Sequence, residues 1–166
     1  MLSFFEGIIA ALGALVLELT LPFFNLPANG TSLIFIFLAA AIEEILKYAF
    51  IYNNYLKLPI KEKIVKNSFF IGLGFAATEI FLKQLPLEKT NWLPILGVFL
   101  IHLFTASLAG FFLLKKYSKL MKAKKGLSPE VSGLSPFSAG GLSSSKIIIF
   151  NVLLHFAYNF LILRYF

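Results

Sequence analysis

The sequence predicts an all-α protein: a polytopic transmembrane helical bundle of about five spans, with the N-terminus in the cytoplasm. The chain has 166 residues, 58% hydrophobic and only 14% charged, with a mean hydropathy of +0.84. Soluble domains do not have this composition. Five apolar stretches are each close to the length of about 20 residues that a helix needs to cross about 30 Å of hydrocarbon. Basic residues concentrate in two of the loops between them.

The predicted spans follow one another along a single membrane domain, residues 1–166. They cover residues 3–24, 32–53, 67–85, 92–114 and 146–164. The first has no basic n-region and no small-residue cleavage site, so we expect a retained span and not a signal peptide. Helix-ending residues separate the spans: Pro22 and Pro27, Asn53-Asn54 and Pro59, Pro86, and Lys115-Lys116. Residues 115–145 are predicted to form a loop, first basic and then rich in Gly, Ser and Pro.

The distribution of basic residues predicts the orientation of this multi-pass integral membrane protein. Eleven lysines fall in two loops on one side of the predicted bundle: Lys57, Lys61, Lys63, Lys66, Lys115, Lys116, Lys119, Lys122, Lys124, Lys125 and Lys146. The other side has only Lys83, Lys89 and Arg164. The positive-inside rule therefore places the N-terminus and the basic loops in the cytoplasm and the C-terminus outside. Because the net charge of +7 comes mainly from lysines in two loops, nucleic acid is not an expected partner.

Polar residues interrupt four of the five spans at similar depth. An ionised side chain near the bilayer centre costs roughly 2.5 to 3.5 kcal/mol on insertion scales, so such residues usually have a function. At a rise of about 1.5 Å per residue, the charged and imidazole groups all fall within a turn or two of the midplane. We therefore expect one buried site. Its members are Glu43, Glu44 and Lys47 in the second span, Glu79 in the third, His102 in the fourth, and His155 and Asn159 in the fifth.

The residue types in this site favour acid–base chemistry. Helical phase places Lys47 between Glu43 and Glu44, one turn further along, where its ammonium can offset part of either carboxylate. A buried carboxylate beside imidazoles suits general acid or base work, and Glu43 is the preferred catalytic residue. For Glu44, a structural ion pair with Lys47 is the alternative to a catalytic role. The absence of Cys excludes cysteine protease and Cys-ligated metal sites.

Two other functions remain open from the residues alone. A divalent metal, zinc above all, is an alternative cofactor among Glu79, His102 and His155, although no HExxH spacing supports it. A proton-coupled transporter or a membrane scaffold is the non-enzymatic alternative, because intramembrane Glu and His also form proton relays. Glu6 and Glu18 lie near the ends of the first span and are predicted to be structural.

Four ordered motifs give the chain a family resemblance. They are EEILK at 43–47, GFAATE at 74–79, HLFTASLAG at 102–110 and HFAYN at 155–159. In these motifs the chain resembles the PrsW-like intramembrane proteases, relatives of the CAAX prenyl endopeptidases in the CPBP superfamily. Lys47 stands where CAAX endopeptidases typically have Arg, and Glu79 stands where they have His. Both departures favour the PrsW branch over prenyl-protein processing.

The resemblance implies an endopeptidase that hydrolyses a peptide bond in or near the membrane. Glutamate would activate the water, and a His/Asn pair would stabilise the oxyanion. Carried over by motif, the catalytic positions are Glu43, Glu44, Glu79, His102, His155 and Asn159, with Lys47 as the supporting ion pair. The expected partners are a membrane-protein or lipid-anchored peptide substrate and the bilayer, with no cofactor. The short chain also leaves room for an oligomer.

Overall fold

A computed structural model of the protein describes residues 1–24, 32–57, 63–84, 92–125 and 141–165, and these residues form five α-helices. No strand occurs in this part of the chain, which confirms the predicted all-α class. A short 3-10 helix, Leu21–Phe24, follows the first α-helix. The α-helices are α1 (Leu2–Glu18), α2 (Leu33–Lys57), α3 (Ile64–Gln84), α4 (Trp92–Lys125) and α5 (Gly141–Tyr165).

Four of the helices are long and apolar enough to cross a membrane. These segments are Leu2–Phe23, Ile64–Leu82, Trp92–Lys116 and Ser145–Arg164. With the apolar composition of the whole chain, they are typical of a membrane protein. Helix α2 is 25 residues long, yet it is not among the four because Glu43, Glu44 and Lys47 lie close together in its middle.

Several helix ends differ from the ends of the predicted spans, for local reasons. Helix α1 stops at Glu18, because the ring of Pro22 clashes with a helical carbonyl four residues earlier. Helix α4 continues to Lys125, well past the predicted span end at 114, since lysine is a good helix former where the chain leaves an apolar environment. Helix α5 begins at Gly141. Most of the predicted loop, residues 126–140, lies outside the described residues, as do Pro27, Pro59 and Pro86.

Helix α2 is the central helix of the bundle, since it contacts all four others. Asn54 near its end donates a hydrogen bond to Glu6 near the start of α1, so these two helices are antiparallel. Likewise, Tyr158 late in α5 donates to the carbonyl of Pro94 in the first turn of α4. The polar middle of α2 is therefore surrounded by protein. Exposed or half-exposed lysines lie near the helix ends at one end of the bundle, which we call the basic end. They are Lys57, Lys66, Lys115, Lys116 and Lys146.

Small residues allow the helices to approach closely around the polar centre. A Cβ added at Gly72 of α3 would lie 2.6 Å from the carbonyl oxygen of His102 and 2.8 Å from Cβ of Ala106, both on α4. Helices α1 and α3 approach as closely, because a Cβ at Gly7 would overlap the carbonyl of Ile71. Small residues thus allow α4, which carries His102, to pack closely against α3.

Replacing Gly7 with Ala is expected to destabilise the bundle by about 1–3 kcal/mol, because the new methyl group overlaps a backbone carbonyl that cannot move without separating α1 from α3. Thermal unfolding in detergent measures the effect. Gly13→Ala on the same helix is the matched control, since its Cβ would meet only Cδ1 of Leu46 at 3.6 Å. Equal melting temperatures for the two variants would contradict the close contact.

Candidate active site

Helices α2, α4 and α5 bring five of the predicted residues into one buried cluster, and α3 adds a sixth at its edge. The side chains of Glu43 and Glu44 are 2% exposed, those of Lys47 and His155 1%, and that of His102 is fully buried. Glu79 is 10% exposed. These groups come from residues far apart in the sequence. The convergence expected from their common depth is therefore present in the structure.

Glu44 accepts hydrogen bonds from three side chains through one oxygen. Its Oε1 lies 2.6 Å from Nζ of Lys47, 3.1 Å from Oγ1 of Thr105 and 2.9 Å from Nδ1 of His155. Lys47 also donates to Thr105 at 3.1 Å and lies over the ring of Phe75, 4.9 Å from its centroid. Because the carboxylate is compensated and held from three sides, it connects α2 to α4 and α5.

The contact with Glu44 also fixes the other nitrogen of His155. A carboxylate accepts a hydrogen bond, so Nδ1 of His155 must carry the proton in this contact. Nε2 is then directed toward the second glutamate, 3.4 Å from Oε2 of Glu43. A carboxylate that orients an imidazole in this way selects one tautomer and leaves the far nitrogen for chemistry. Adjacent glutamates therefore have different surroundings.

Glu43 faces both imidazoles. Its Oε2 is 3.4 Å from Nε2 of His155 and 3.9 Å from Nε2 of His102. The two imidazole rings meet edge to face, with centroids 4.9 Å apart. A carboxylate in this position can exchange a proton with either ring or with a water molecule between them.

Glu79 approaches the same nitrogen of His102 that faces Glu43. Its Oε2 contacts Nε2 of that imidazole directly. Phe75, one turn before Glu79 on α3, packs against the same ring with centroids 4.7 Å apart. Nδ1 of His102 is buried and has no hydrogen-bond partner among the described residues. The motif from Phe75 to Glu79 thus holds His102 through one ring contact and one polar contact.

A water-sized cavity adjoins Glu43. Its volume is about 20 Å³, and its polar lining consists of Glu18, Glu43, Thr78 and Glu79. About 10–15 Å³ of such space is enough for one water molecule, provided that polar partners line it. The cavity can therefore hold one water beside the Glu43 carboxylate.

Asn159 lies outside the buried cluster. It lines a second, larger cavity of about 300 Å³ between the ends of α1, α2, α4 and α5 that are opposite the basic end. Glu79 and Tyr158 line the same cavity, which places Asn159 near the edge of the site. The tyrosine is held by its hydrogen bond of 2.8 Å to the Pro94 carbonyl and by close packing on Gly97.

Two residues near the site were not predicted from the sequence to belong to it. Thr105 is fully buried and bonded to both Glu44 and Lys47, and its backbone carbonyl accepts a hydrogen bond of 3.0 Å from Asn151. Its position three residues after His102, on the same helix face, is the signal that could have found it. Glu18 was predicted to be structural, and it lines both cavities. Its placement within an apolar segment was the available signal.

The same groups have the chemistry of a metal site. One donor atom each from Glu43, His102 and His155 lies within 4.8 Å of the other two. Ligands of tetrahedral zinc at about 2.0–2.1 Å from the ion lie about 3.3 Å apart, so a small side-chain adjustment would suffice. The set differs from the one predicted from sequence, because it contains Glu43 in place of Glu79.

The arrangement supplies a base, two imidazoles and room for a water molecule, which together are suited to activating water for nucleophilic attack. Comparison with protein-family models, with curated proteins and with solved structures finds no match to this chain.

Proposed function

We propose that the protein is an intramembrane endopeptidase that hydrolyses a peptide bond of a membrane-protein or lipid-anchored substrate. The observation that carries the proposal is the position of Glu43. Its carboxylate is buried among membrane-type helices, lies against two imidazoles and borders a cavity with room for one water molecule. The family resemblance of the four motifs agrees with it.

In the proposed mechanism, Glu43 acts as general base. It takes a proton from water as the water oxygen attacks the carbonyl carbon of the scissile bond. His155 and Asn159 lie one helical turn apart on α5, where they would polarise the carbonyl and stabilise the tetrahedral oxyanion. Collapse of this intermediate breaks the C–N bond. The amine leaves with the proton that Glu43 accepted, delivered directly or through His102 and Glu79.

Glu44 and Lys47 have a supporting role in this mechanism. The Glu44 carboxylate binds Nδ1 of His155 at 2.9 Å and so keeps Nε2 directed at Glu43. Lys47 compensates the charge of Glu44 and so allows the Glu44 carboxylate to remain buried.

The membrane topology is part of the same proposal. Helix α2 would cross the membrane as a fifth span, because its charged residues lie against the other helices and away from lipid. With the basic end in the cytoplasm, the N-terminus lies inside and the C-terminus outside. The larger cavity, at the other end of the bundle, would then open toward the outer side.

A zinc-dependent intramembrane protease is the second candidate function. It is favoured by the proximity of donor atoms on Glu43, His102 and His155. When bound there, zinc would lower the pKa of a coordinated water and polarise a carbonyl oxygen.

Metal removal distinguishes the two candidates. Because the proposed base is a carboxylate of the protein itself, the purified protein is expected to keep its cleavage rate after dialysis against a chelator. The measurement combines metal analysis of the protein with mass spectrometry of the peptides that it releases in liposomes. Loss of cleavage on chelation, restored by stoichiometric zinc, would contradict the glutamic mechanism in favour of the metal-dependent one.

A further inference from the structure

Glu18 lies on the walls of both cavities beside the buried cluster. This last residue of α1 is half-buried, and it lines both the water-sized cavity beside Glu43 and the larger cavity at the end opposite the basic end. Glu79 also lines both cavities. These two carboxylates, from α1 and α3, are the residues that the linings of both spaces have in common.

The rest of the small cavity is mostly apolar. Its walls include Ala11, Ala14, Leu15, Phe75 and Leu82. Water enters and stays in a confined space only where polar groups offer it hydrogen bonds, and even much larger apolar cavities stay dry. A path for water from the larger cavity to Glu43 therefore depends on Glu18 and Glu79, the polar side chains that line both cavities.

Hydrolysis makes this path important. Each peptide bond cleaved consumes one water molecule, and a cavity of about 20 Å³ has room for about one. The next molecule must come from elsewhere, and the cavity of about 300 Å³ is the adjoining space. The two carboxylates that line both cavities can accept hydrogen bonds from water as it passes.

We propose that Glu18 and Glu79 form a polar neck through which water reaches Glu43 from the end of the bundle opposite the basic end, with Glu18 as a positioning residue for this water. The functional meaning of the neck rests on the proposed hydrolysis, whereas its existence as a water path does not. Glu18 acts through the water that it holds, and it has no contact with the scissile bond.

The test uses the fact that the chain contains no Cys. Thr78→Cys places a single thiol on the wall of the small cavity with little change in volume. The purified variant is reconstituted in liposomes, the two orientations are separated by protease access to the basic end, and Ag⁺ is added from outside. Thiol remaining after each interval is titrated in denaturant. Fast reaction is expected when the end opposite the basic end faces the reagent.

Substitutions of Glu18 then test whether water reaches the small cavity through the neck. In the Thr78→Cys background, Glu18→Leu is expected to slow the reaction with Ag⁺ at least about tenfold, the factor that corresponds to losing one hydrogen bond of about 1.4 kcal/mol along the path. Glu18→Gln, which keeps a carbonyl oxygen at the neck, is expected to retain most of the rate. Glu6→Gln is the matched control on the same helix, since its new amide oxygen can still accept from Asn54.

The results separate this proposal from the proposed function. Equal thiol reactivity in the Glu18→Leu variant and its parent, with both folded by circular dichroism, would overturn the neck even if the wild-type protein cleaves peptides. A reaction rate that depends on Glu18 would support the neck even if the protein cleaves no peptide. The missing cleavage would then refute only the proposed protease function. A thiol that reacts faster from the basic end would also overturn it.

Discussion

Replacing Glu43 with Gln is expected to lower the rate of peptide cleavage by about 10²- to 10⁴-fold, the range typical for loss of a general base. The substitution keeps the shape of the side chain, but the amide cannot take a proton from water. The contacts of Glu44 with Lys47, Thr105 and His155 do not involve Glu43 and should survive. Initial rates in liposomes, with the melting temperature of each variant, measure the effect.

The matched control for this prediction is Glu6→Gln. It makes the same chemical change on a carboxylate that binds Asn54 near the basic end, away from both imidazoles. Its cleavage rate is expected to remain within about twofold of wild type, as for a substitution that preserves the hydrogen bond. A folded Glu43→Gln protein that cleaves as fast as this control would exclude Glu43 as the base.

Replacing Lys47 with Met is expected to cost about 3–5 kcal/mol of stability, the typical penalty for leaving one member of a buried ion pair uncompensated. Lys47 is 1% exposed and its ammonium lies 2.6 Å from Glu44, so water cannot replace it without opening the bundle. Methionine is of similar length and keeps the packing against Phe75. Unfolding in increasing concentrations of a denaturing detergent measures the loss of stability.

The double variant Lys47→Met/Glu44→Gln is expected to regain most of this stability, because it removes the uncompensated charge as well. Lys66→Met changes an exposed lysine at the basic end and should shift stability by less than about 0.5 kcal/mol. If Lys47→Met were as stable as Lys66→Met, the pair would not be the buried link between α2 and α4 that the structure shows.

The helices of this protein follow closely from its sequence, because long apolar stretches have few alternatives to helical structure in a membrane. Convergence of the polar residues was also predictable, since Glu43, His102 and His155 each lie near the middle of a predicted span. Helix ends were less predictable. The continuation of α4 to Lys125 depends on local helix propensity beyond the apolar stretch, where hydropathy gives no signal.

The different roles of the two adjacent glutamates could not be predicted. Helical phase places Glu43 and Glu44 about 100° apart, but it does not say which neighbouring helix each one faces. That depends on how α4 and α5 pack around α2, and the packing directs Glu44 to Thr105 and His155. The position of Glu18 on two cavities could not be predicted for a similar reason, because its distance from the end of an apolar stretch does not reveal the spaces beside it.

The proposed function is hydrolysis of peptide bonds by water that Glu43 activates. Its most direct test is mass spectrometry of single-span membrane peptides incubated in liposomes with metal-free protein in H₂¹⁸O. We expect shorter products whose new C-terminal carboxylate carries one ¹⁸O atom, and no such products with Glu43→Gln. Intact peptides in every sample, together with proton flux across the same liposomes, would contradict it and indicate a proton-coupled transporter.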